Sequence, residues 1–345
     1  MIKRILCFCL AALMCCTILT GCGKGNEGTK DSGELNNNER AQAYFDKAGI
    51  KTGLETVVMT IGEIEITYEN YRYLYMSCRN SYEEQGVAKT ADEIKAEVLS
   101  ELFYEAAVQT LANRYNAGLT DKQKSSIEDQ VKSLIKTYSD YGYELDDILA
   151  SKYMTANVYE FSYGFEYFLP NNVFDHCKDP ENNVLDFSEE AIDEKMEEYD
   201  RMLMVFVGVN ETRTDANAQK KVEGILEKLS NGEDFAKIAK EYSDDTGTDP
   251  AVGFYFTEDS VDENFKDAYY ALEEGDYTHE AIQTKDGYYI IYRTAPDKEY
   301  FSKDLYPYYA FNDHLQETQE SLSVTYTEFF TTMFDGKDLI PEKGA

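Results

Sequence analysis

The chain has 345 residues, of which 43% are hydrophobic, and its formal net charge at pH 7 is -33. That many apolar side chains can fill two hydrophobic cores. A surface so rich in carboxylates repels nucleic acid and anionic lipid headgroups, which argues against a nucleic-acid-binding role.

The N-terminus has the features of an export signal. Lys3 and Arg4 precede an apolar run that ends at Leu19-Thr20-Gly21-Cys22, and this run is too short to span a bilayer. The Leu-x-Gly-Cys ending resembles a bacterial lipobox, which implies that residues 1–21 are removed and that Cys22 carries a lipid. An ordinary signal peptide with a chance cysteine is the alternative. The polar composition after it predicts a flexible tether, residues 22–54.

The cysteines and histidines do not form a recognisable metal motif. Of the 7 cysteines, four lie in the predicted signal and one is Cys22. Cys78 and Cys177 remain, at unrelated positions that make neither a disulfide framework nor a metal motif. His176 next to Cys177 has no second ligand pair at a suitable spacing. We therefore expect no metal and no cofactor.

Residues 55–199 predict an N-terminal, mainly helical domain. Residues 57–61 and 64–66 predict two strands around Gly62, and Thr67 is placed to cap the helix that follows. Further helices are predicted by apolar spacing at 91–115, from Thr120, over 146–168 and from Ser188. The order strand, glycine, strand, threonine, helix is similar to the start of the PrsA foldase lipoproteins and of the SurA periplasmic chaperones.

Residues 200–296 alternate between strands and helices. Residues 202–207 predict a strand, and two helices follow it, separated by a left-handed stop at Asn231-Gly232. A second strand, a short helix and a hairpin are predicted at 252–256, 265–272 and 281–292. The order β-α-α-β-α-β-β predicts an α+β domain with helices packed on a four-stranded sheet.

This segment resembles the parvulin-type peptidyl-prolyl isomerases. The stretch from Leu229 to Asp245 is similar to the signature of that family, and the strand that begins at Gly287 corresponds to the family's last strand. The resemblance covers about 200–295. It implies a parvulin fold and an activity that twists Xaa-Pro bonds without a nucleophile or a metal.

The resemblance also implies a polar floor for the site, altered in this chain. Asp245 matches the Cys or Asp of the family, but the two histidines that usually accompany it are absent. Met204 lies where the first strand carries one, and Tyr289 lies where the last strand carries the other. Because the Tyr289 hydroxyl is able to donate to Asp245, these two residues are the predicted catalytic pair. A turn carboxylate without a catalytic role is the alternative for Asp245.

An apolar cup for the proline ring is expected beside this floor. Phe265 matches the phenylalanine that stacks on the ring, and Val261 stands near the usual methionine. The predicted substrate-binding residues are Met204, Phe254, Val261 and Phe265. Core packing is the alternative role for Phe265.

Residues 297–345 return to helical spacing, from 305 to about 334, with an interruption near 324–326. A lone helix does not bury its apolar side by itself. The PrsA and SurA resemblance implies that this segment packs on the N-terminal helices. The parvulin domain is then inserted into a mainly helical chaperone domain built from both ends of the chain.

These expectations describe an outward-facing lipoprotein of a bacterial cell membrane that is an isomerase and a chaperone for exported proteins. Its partners would be unfolded or newly secreted chains with Xaa-Pro bonds and, through Cys22, the membrane. Two alternatives remain open. In the first, favoured by the absence of the two histidines, the protein is a holdase that binds Xaa-Pro segments but does not isomerise them. In the second, it is a scaffold lipoprotein that reuses the fold for binding alone. Many tyrosines, 29 in all, favour an aromatic client-binding cleft.

Overall fold

A computed structural model describes residues 35–47 and 49–333. The predicted signal, Cys22 and the first part of the predicted tether lie outside the described residues. The chain divides into two compact units. The sheet unit is formed by residues 185–310, and the helical unit combines the described residues before 185 with residues 311–333.

The helical unit begins with a helix inside the segment that composition assigned to the tether. Helix α1 (Asn37–Lys47) buries Ala41 and Phe45. The Phe45 ring packs edge-on against Tyr68, with 4.8 Å between the ring centroids. The helix is polar on average, so composition alone does not predict it. Its two buried residues, Ala41 and Phe45, are four residues apart and therefore lie on one helix face.

The next two strands form the predicted hairpin. Strand β1 (Val57–Ile61) pairs antiparallel with β2 (Ile64–Thr67), and Gly62 in the turn has a φ of 59°. As predicted, the Thr67 hydroxyl caps the helix that follows by accepting a hydrogen bond from the Asn70 amide. The helices of this part are α2 (Tyr68–Glu84), α3 (Ala91–Tyr115), α4 (Asp121–Asp140), α5 (Leu145–Ser151), α6 (Ala156–Tyr167) and α7 (Leu169–Cys177).

The single helix predicted over 146–168 is two helices. Tyr153, between α5 and α6, has a φ of 59°, and a residue in this left-handed region cannot continue a right-handed helix. Thr155 then starts α6 by accepting from the Val158 amide. The prediction failed here because apolar spacing continues across the break.

The sheet unit has the predicted α+β architecture. Its elements are α8 (Glu189–Glu197), β3 (Asp200–Gly208), α9 (Asp215–Ser230), α10 (Phe235–Tyr242), β4 (Phe254–Phe256), α11 (Glu263–Tyr270), β5 (Ile282–Gln283) and β6 (Gly287–Thr294). The strand order is β4-β3-β6-β5, and each neighbouring pair is antiparallel. The predicted fold class, with its four-stranded sheet, is confirmed.

The two faces of this sheet have different roles. Leu203, Val205 and Val207 of β3 pack with α9 and α10 in one hydrophobic core. The alternate residues of β3, from Met202 to Phe206, therefore lie on the opposite face. That second face carries the candidate site.

Described residues on both sides of the sheet unit in sequence contribute to the helical unit. After β6 come a short helix α12 (Lys298–Tyr300), a π-helical turn and α13 (Tyr306–Ser321). The predicted interruption is a strand, β7 (Val324–Tyr326), which pairs antiparallel with β1 and leads into α14 (Glu328–Met333). The sheet unit is thus inserted between the two segments of the helical unit. Within residues 35–47 and 49–333, no helix is both long and apolar enough to cross a bilayer.

A buried carboxyl on α3 generates a prediction about stability. Glu105 is 9% exposed, and burial, reinforced by the charge of Glu101, raises its pKa to about 8. The folded state then binds a proton that the unfolded state releases near pH 4.5. The stability of the helical unit should consequently fall as the pH rises from that value towards 8.

We expect Glu105→Gln, which resembles the protonated side chain, to raise the free energy of unfolding by roughly 3 to 5 kcal/mol at about pH 9 and by less than about 1 kcal/mol at about pH 5. Denaturant unfolding followed by circular dichroism measures both values. Glu101→Gln, on the exposed neighbour, should change them by less than about 1 kcal/mol. A difference that is the same at both pH values would contradict the assignment.

Candidate active site

One face of the sheet unit gathers the apolar residues expected to hold proline. Met202, Phe256, Tyr269 and Ile291 form a buried hydrophobic cluster there. Partly buried side chains packed against this cluster include Met204, Phe254, Val261 and Phe265. The structure therefore brings together all four predicted substrate-binding residues, which come from two strands, a loop and α11.

Tyr289 lies between two aromatic rings on this face. Its ring stacks on Phe206 with 4.6 Å between centroids and an interplanar angle of 29°. Phe265 approaches it edge-on at 4.9 Å. Phe206 stands directly opposite Tyr289 in the β3–β6 register, and directly opposed residues share a sheet face. The sequence analysis missed Phe206, although its position two residues after Met204 places it on the same face.

Asp245 follows α10 and is held in a turn of its own. Its Oδ1 accepts a hydrogen bond from the Gly247 amide at 2.8 Å. The Ser243 hydroxyl accepts from the amides of Phe206 at 3.0 Å and of Asp245 at 3.2 Å. The start of this turn is thus fastened to strand β3, beside Tyr289.

The two predicted catalytic residues interact through charge. Burial raises the pKa of the Tyr289 hydroxyl, and the charges of Asp245 and Asp286 raise it further. In the described structure the Tyr289 hydroxyl and the Asp245 carboxylate are not hydrogen-bonded to each other. Tyr289 therefore stays protonated at neutral pH and is available as a donor.

An ion-pair network that the sequence analysis missed anchors the same turn. Asp244 Oδ2 accepts from the Gly208 amide at 2.9 Å, and Oδ1 accepts from Lys221 Nζ at 2.9 Å. The Arg213 guanidinium donates to both carboxylate oxygens. Burial opposes ionisation of Asp244, but these hydrogen bonds outweigh it and lower its pKa. No local spacing signals this network, because its cations are 23 and 31 residues away in sequence.

Gly253 sets the position of β4 against β3. Its φ is 73°, and a Cβ atom at this residue would lie 2.4 Å from the Met202 carbonyl oxygen. A larger residue would therefore be strained by its backbone and would collide with the neighbouring strand. This close approach places Phe254 at the cup, one residue later.

The two described cysteines are buried free thiols. Burial raises the pKa of Cys78 and of Cys177 to about 11, so both stay protonated at neutral pH. Within 35–47 and 49–333, no group of three or more His, Cys, Asp or Glu side chains is arranged to hold a metal ion.

Comparison with known proteins agrees with this geometry. Residues 189–297 match the family model of the PPIC-type PPIASE domain. The chain contains a parvulin-type domain. The predicted resemblance to the parvulins and to the PrsA foldases is confirmed.

Relatives with a similar sequence are foldases. The foldase protein PrsA of Pediococcus pentosaceus is 41% identical over 73 residues, which are 20% of this chain and 25% of that protein. Foldase protein PrsA 1 of Listeria monocytogenes is 30% identical over 202 residues, 56% of this chain and 64% of that protein. The chain therefore spans less than two thirds of the length of these curated relatives. The crystal structure of PrsA from Bacillus subtilis is 20% identical, with coverage of 78% of this chain and 91% of that one and a TM-score of 0.30.

The Asp244 network generates a prediction with a defined pH dependence. The folded pKa of Asp244 lies below the ordinary 3.8, so its stabilising effect is present above that value and is lost as the pH falls through the folded pKa. At neutral pH, Asp244→Asn should lower the free energy of unfolding of the sheet unit by roughly 1 to 3 kcal/mol.

The measurement is denaturant unfolding of both proteins from neutral pH to about pH 2.5. The difference between them should shrink below pH 3.8. Asp259→Asn, which removes an equal charge from an exposed turn of the same unit, serves as the control and should have little effect. A deficit of Asp244→Asn that persists unchanged in acid would show that the ion pairs are not its cause.

Proposed function

We propose that the chain is a peptidyl-prolyl cis-trans isomerase and chaperone that assists the folding of exported proteins. The observation that carries the proposal is the convergence of Met204, Phe254, Val261 and Phe265 on one hydrophobic cluster beside Tyr289. An apolar surface of this kind suits a proline ring, which has no donor to satisfy.

The chemistry asked of the site is modest. Rotation about an Xaa-Pro bond meets a barrier of ~18–20 kcal/mol because planarity is stabilised by resonance. In the twisted state the nitrogen regains its lone pair, and the carbonyl oxygen loses part of its negative charge. A site that favours the twisted state over the planar one accelerates the exchange.

Two residues have the required character. The Tyr289 hydroxyl, protonated at neutral pH, would donate to the proline nitrogen as its lone pair forms. The Asp245 carboxylate beside it would disfavour the planar form, whose carbonyl oxygen is the more negative. The cup around Phe265 would hold the ring away from water and so strengthen both effects.

One observation favours a second function, that of a holdase. Met204, which cannot donate a hydrogen bond, occupies the position where the resemblance implies an imidazole. Tyr289 and Asp245 are not hydrogen-bonded to each other in the described structure. A site of this kind would bind Xaa-Pro segments through its apolar wall and leave their exchange at the uncatalysed rate.

The helical unit would supply the surface for longer unfolded segments. Ile135 of α4 is 50% exposed and Tyr141, just after that helix, is 67% exposed. A recess of about 810 Å³ in the same unit is lined by the carboxylates of Glu39, Glu55, Glu69, Glu144, Asp146 and Asp147, among other residues. The exposed Ile135 and Tyr141 lie close in sequence to acidic residues of this recess. Apolar and acidic surface together suit unfolded chains that carry both apolar and basic residues.

The remaining parts of the proposal concern the boundaries and the location. We propose a signal at 1–21, a lipid on Cys22 as the attachment to the outer face of the cell membrane, and a tether up to the start of α1. The parvulin-type domain, about 200–296, would then act on clients as they emerge from the membrane.

Isomerase activity is tested with a protease-coupled assay on an Ala-Pro peptide. Wild type should exceed the uncatalysed rate. Tyr289→Phe should lower kcat by roughly 10- to 100-fold with little change in KM, because it removes a donor used only in the twisted state. Phe265→Ala should mainly raise KM, since it removes part of the cup. Asp245→Ala should lower kcat.

Tyr288→Phe is the matched control, because Tyr288 lies on the opposite sheet face, where its hydroxyl donates to Asp215 at 2.7 Å. This variant should keep the wild-type kcat. Uncatalysed exchange in wild type would refute the isomerase and leave the holdase. Equal losses in Tyr288→Phe and Tyr289→Phe would refute the assigned site.

Chaperone activity is tested by the suppression of aggregation of a chemically unfolded client protein. The double variant Ile135→Ser with Tyr141→Ser should suppress aggregation less than wild type, because it removes exposed apolar surface. Lys136→Ser on the same helix is the control and should match wild type, as should Phe265→Ala. Unchanged suppression in the double variant would exclude this surface as the client-binding site.

A further inference from the structure

Two of the three histidines of the chain converge on one tyrosine inside the helical unit. Tyr115 is the last residue of α3, His176 lies on α7, and His314 lies on α13 beyond the boundary at Phe311. The Tyr115 hydroxyl and His314 Nε2 are hydrogen-bonded at 2.9 Å. The His176 ring stacks on the Tyr115 ring with 5.3 Å between centroids and an interplanar angle of 17°.

The charges around this cluster disfavour a second cation. Arg114 lies 6.0 Å from the centre of the Tyr115 ring. Burial and the charge of Arg114 lower the pKa of His314, and Glu317 on the same helix partly opposes them. Protonation of His314 would add a positive charge beside Arg114.

His314 belongs to the segment that returns from the sheet unit to the helical unit. Near it, Phe311 and Leu315 are buried, and Phe311 packs edge-on against Phe174 of α7 at 5.3 Å. Further along, β7 pairs with β1 from Ile61↔Val324 to Met59↔Tyr326. The segment is thus held at several places, which include the His314 contact, the buried Phe311 and Leu315, and the pairing of β7 with β1. Loss of the His314 contact would loosen the part of the segment nearest to α13.

We propose that Tyr115, His176 and His314 form an acid-responsive latch that holds residues 311–326 on the N-terminal helices at neutral pH and releases them in mild acid. His314 is half-buried, so protons reach it without prior unfolding. Because the folded state binds His314's proton less readily than the unfolded state, the latch is fully closed above the ordinary pKa of 6.5. It weakens as the pH falls below that value. Release would expose the apolar side chains of Phe311 and Leu315. The proposal does not depend on isomerase activity.

Hydrogen exchange of the full chain at about pH 7.5 and about pH 5.5 tests the latch. The peptide to follow covers residues 322–331, which contain β7 and exclude position 314. Its protection factor in wild type should fall between the two pH values by about three- to tenfold more than in His314→Gln. Strand β6 of the sheet unit should change equally in both proteins.

Wild type and His314→Gln are compared at each pH. This comparison cancels the intrinsic pH dependence of exchange and the pH-dependent stability contribution of Glu105, which has the opposite sign, because both proteins share them. His279→Gln, at an exposed histidine of the sheet unit, is the matched control and should behave as wild type. Should His314→Gln fail to fold, Tyr115→Phe replaces it. At about pH 7.5, the protection factor of the 322–331 peptide in this variant should be lowered towards the value that wild type has at about pH 5.5. An identical pH response in wild type and His314→Gln, or full wild-type protection in Tyr115→Phe, would overturn the proposal.

Discussion

The antiparallel pairing of β3 with β6 is the constraint on which the candidate site depends. It runs over eight residue pairs, from Arg201↔Thr294 to Gly208↔Gly287, and it places Phe206 opposite Tyr289. A slip of one residue would move every side chain of a strand to the other face. The buried residues Val205 and Ile290 fix the register from the helix-covered face, so the hydrophobic core determines which side chains lie on the face of the candidate site.

The same pairing explains why the turn after α10 belongs to the site. The Asp244 amide donates to the Phe206 carbonyl oxygen at 2.8 Å, and the Ser243 hydroxyl accepts from the Phe206 amide. Asp244 forms ion pairs with both Arg213 and Lys221. Among the described residues no cation forms an ion pair with Asp245, because α9 and the loop before it direct Lys221 and Arg213 to Asp244.

Sequence reasoning was reliable where one local pattern determined the structure. The cap at Thr67 and the strands β3 and β6 follow from spacing or from the resemblance. The four residues predicted to bind substrate lie together as expected, but their role stays a prediction. It failed where the cause was distant or weak. Strand β7 has three residues and forms only because β1 offers a partner, and α1 is stabilised by two buried side chains in a polar segment. Nothing near Asp244 in sequence reveals Arg213 and Lys221, which reach it only after the chain has folded.

Proline-containing segments are proposed to bind on the sheet face that carries Phe206 and Tyr289, where Phe265 of α11 packs against Tyr289. The most direct measurement is nuclear magnetic resonance of the isotope-labelled chain during titration with an Ala-Pro peptide. The account predicts shift changes concentrated on the alternate residues of β3 and β6 that line this face, on α11 and at Asp245, with little change around Tyr288. Saturable shift changes confined to other surfaces, with none on this face, would contradict it.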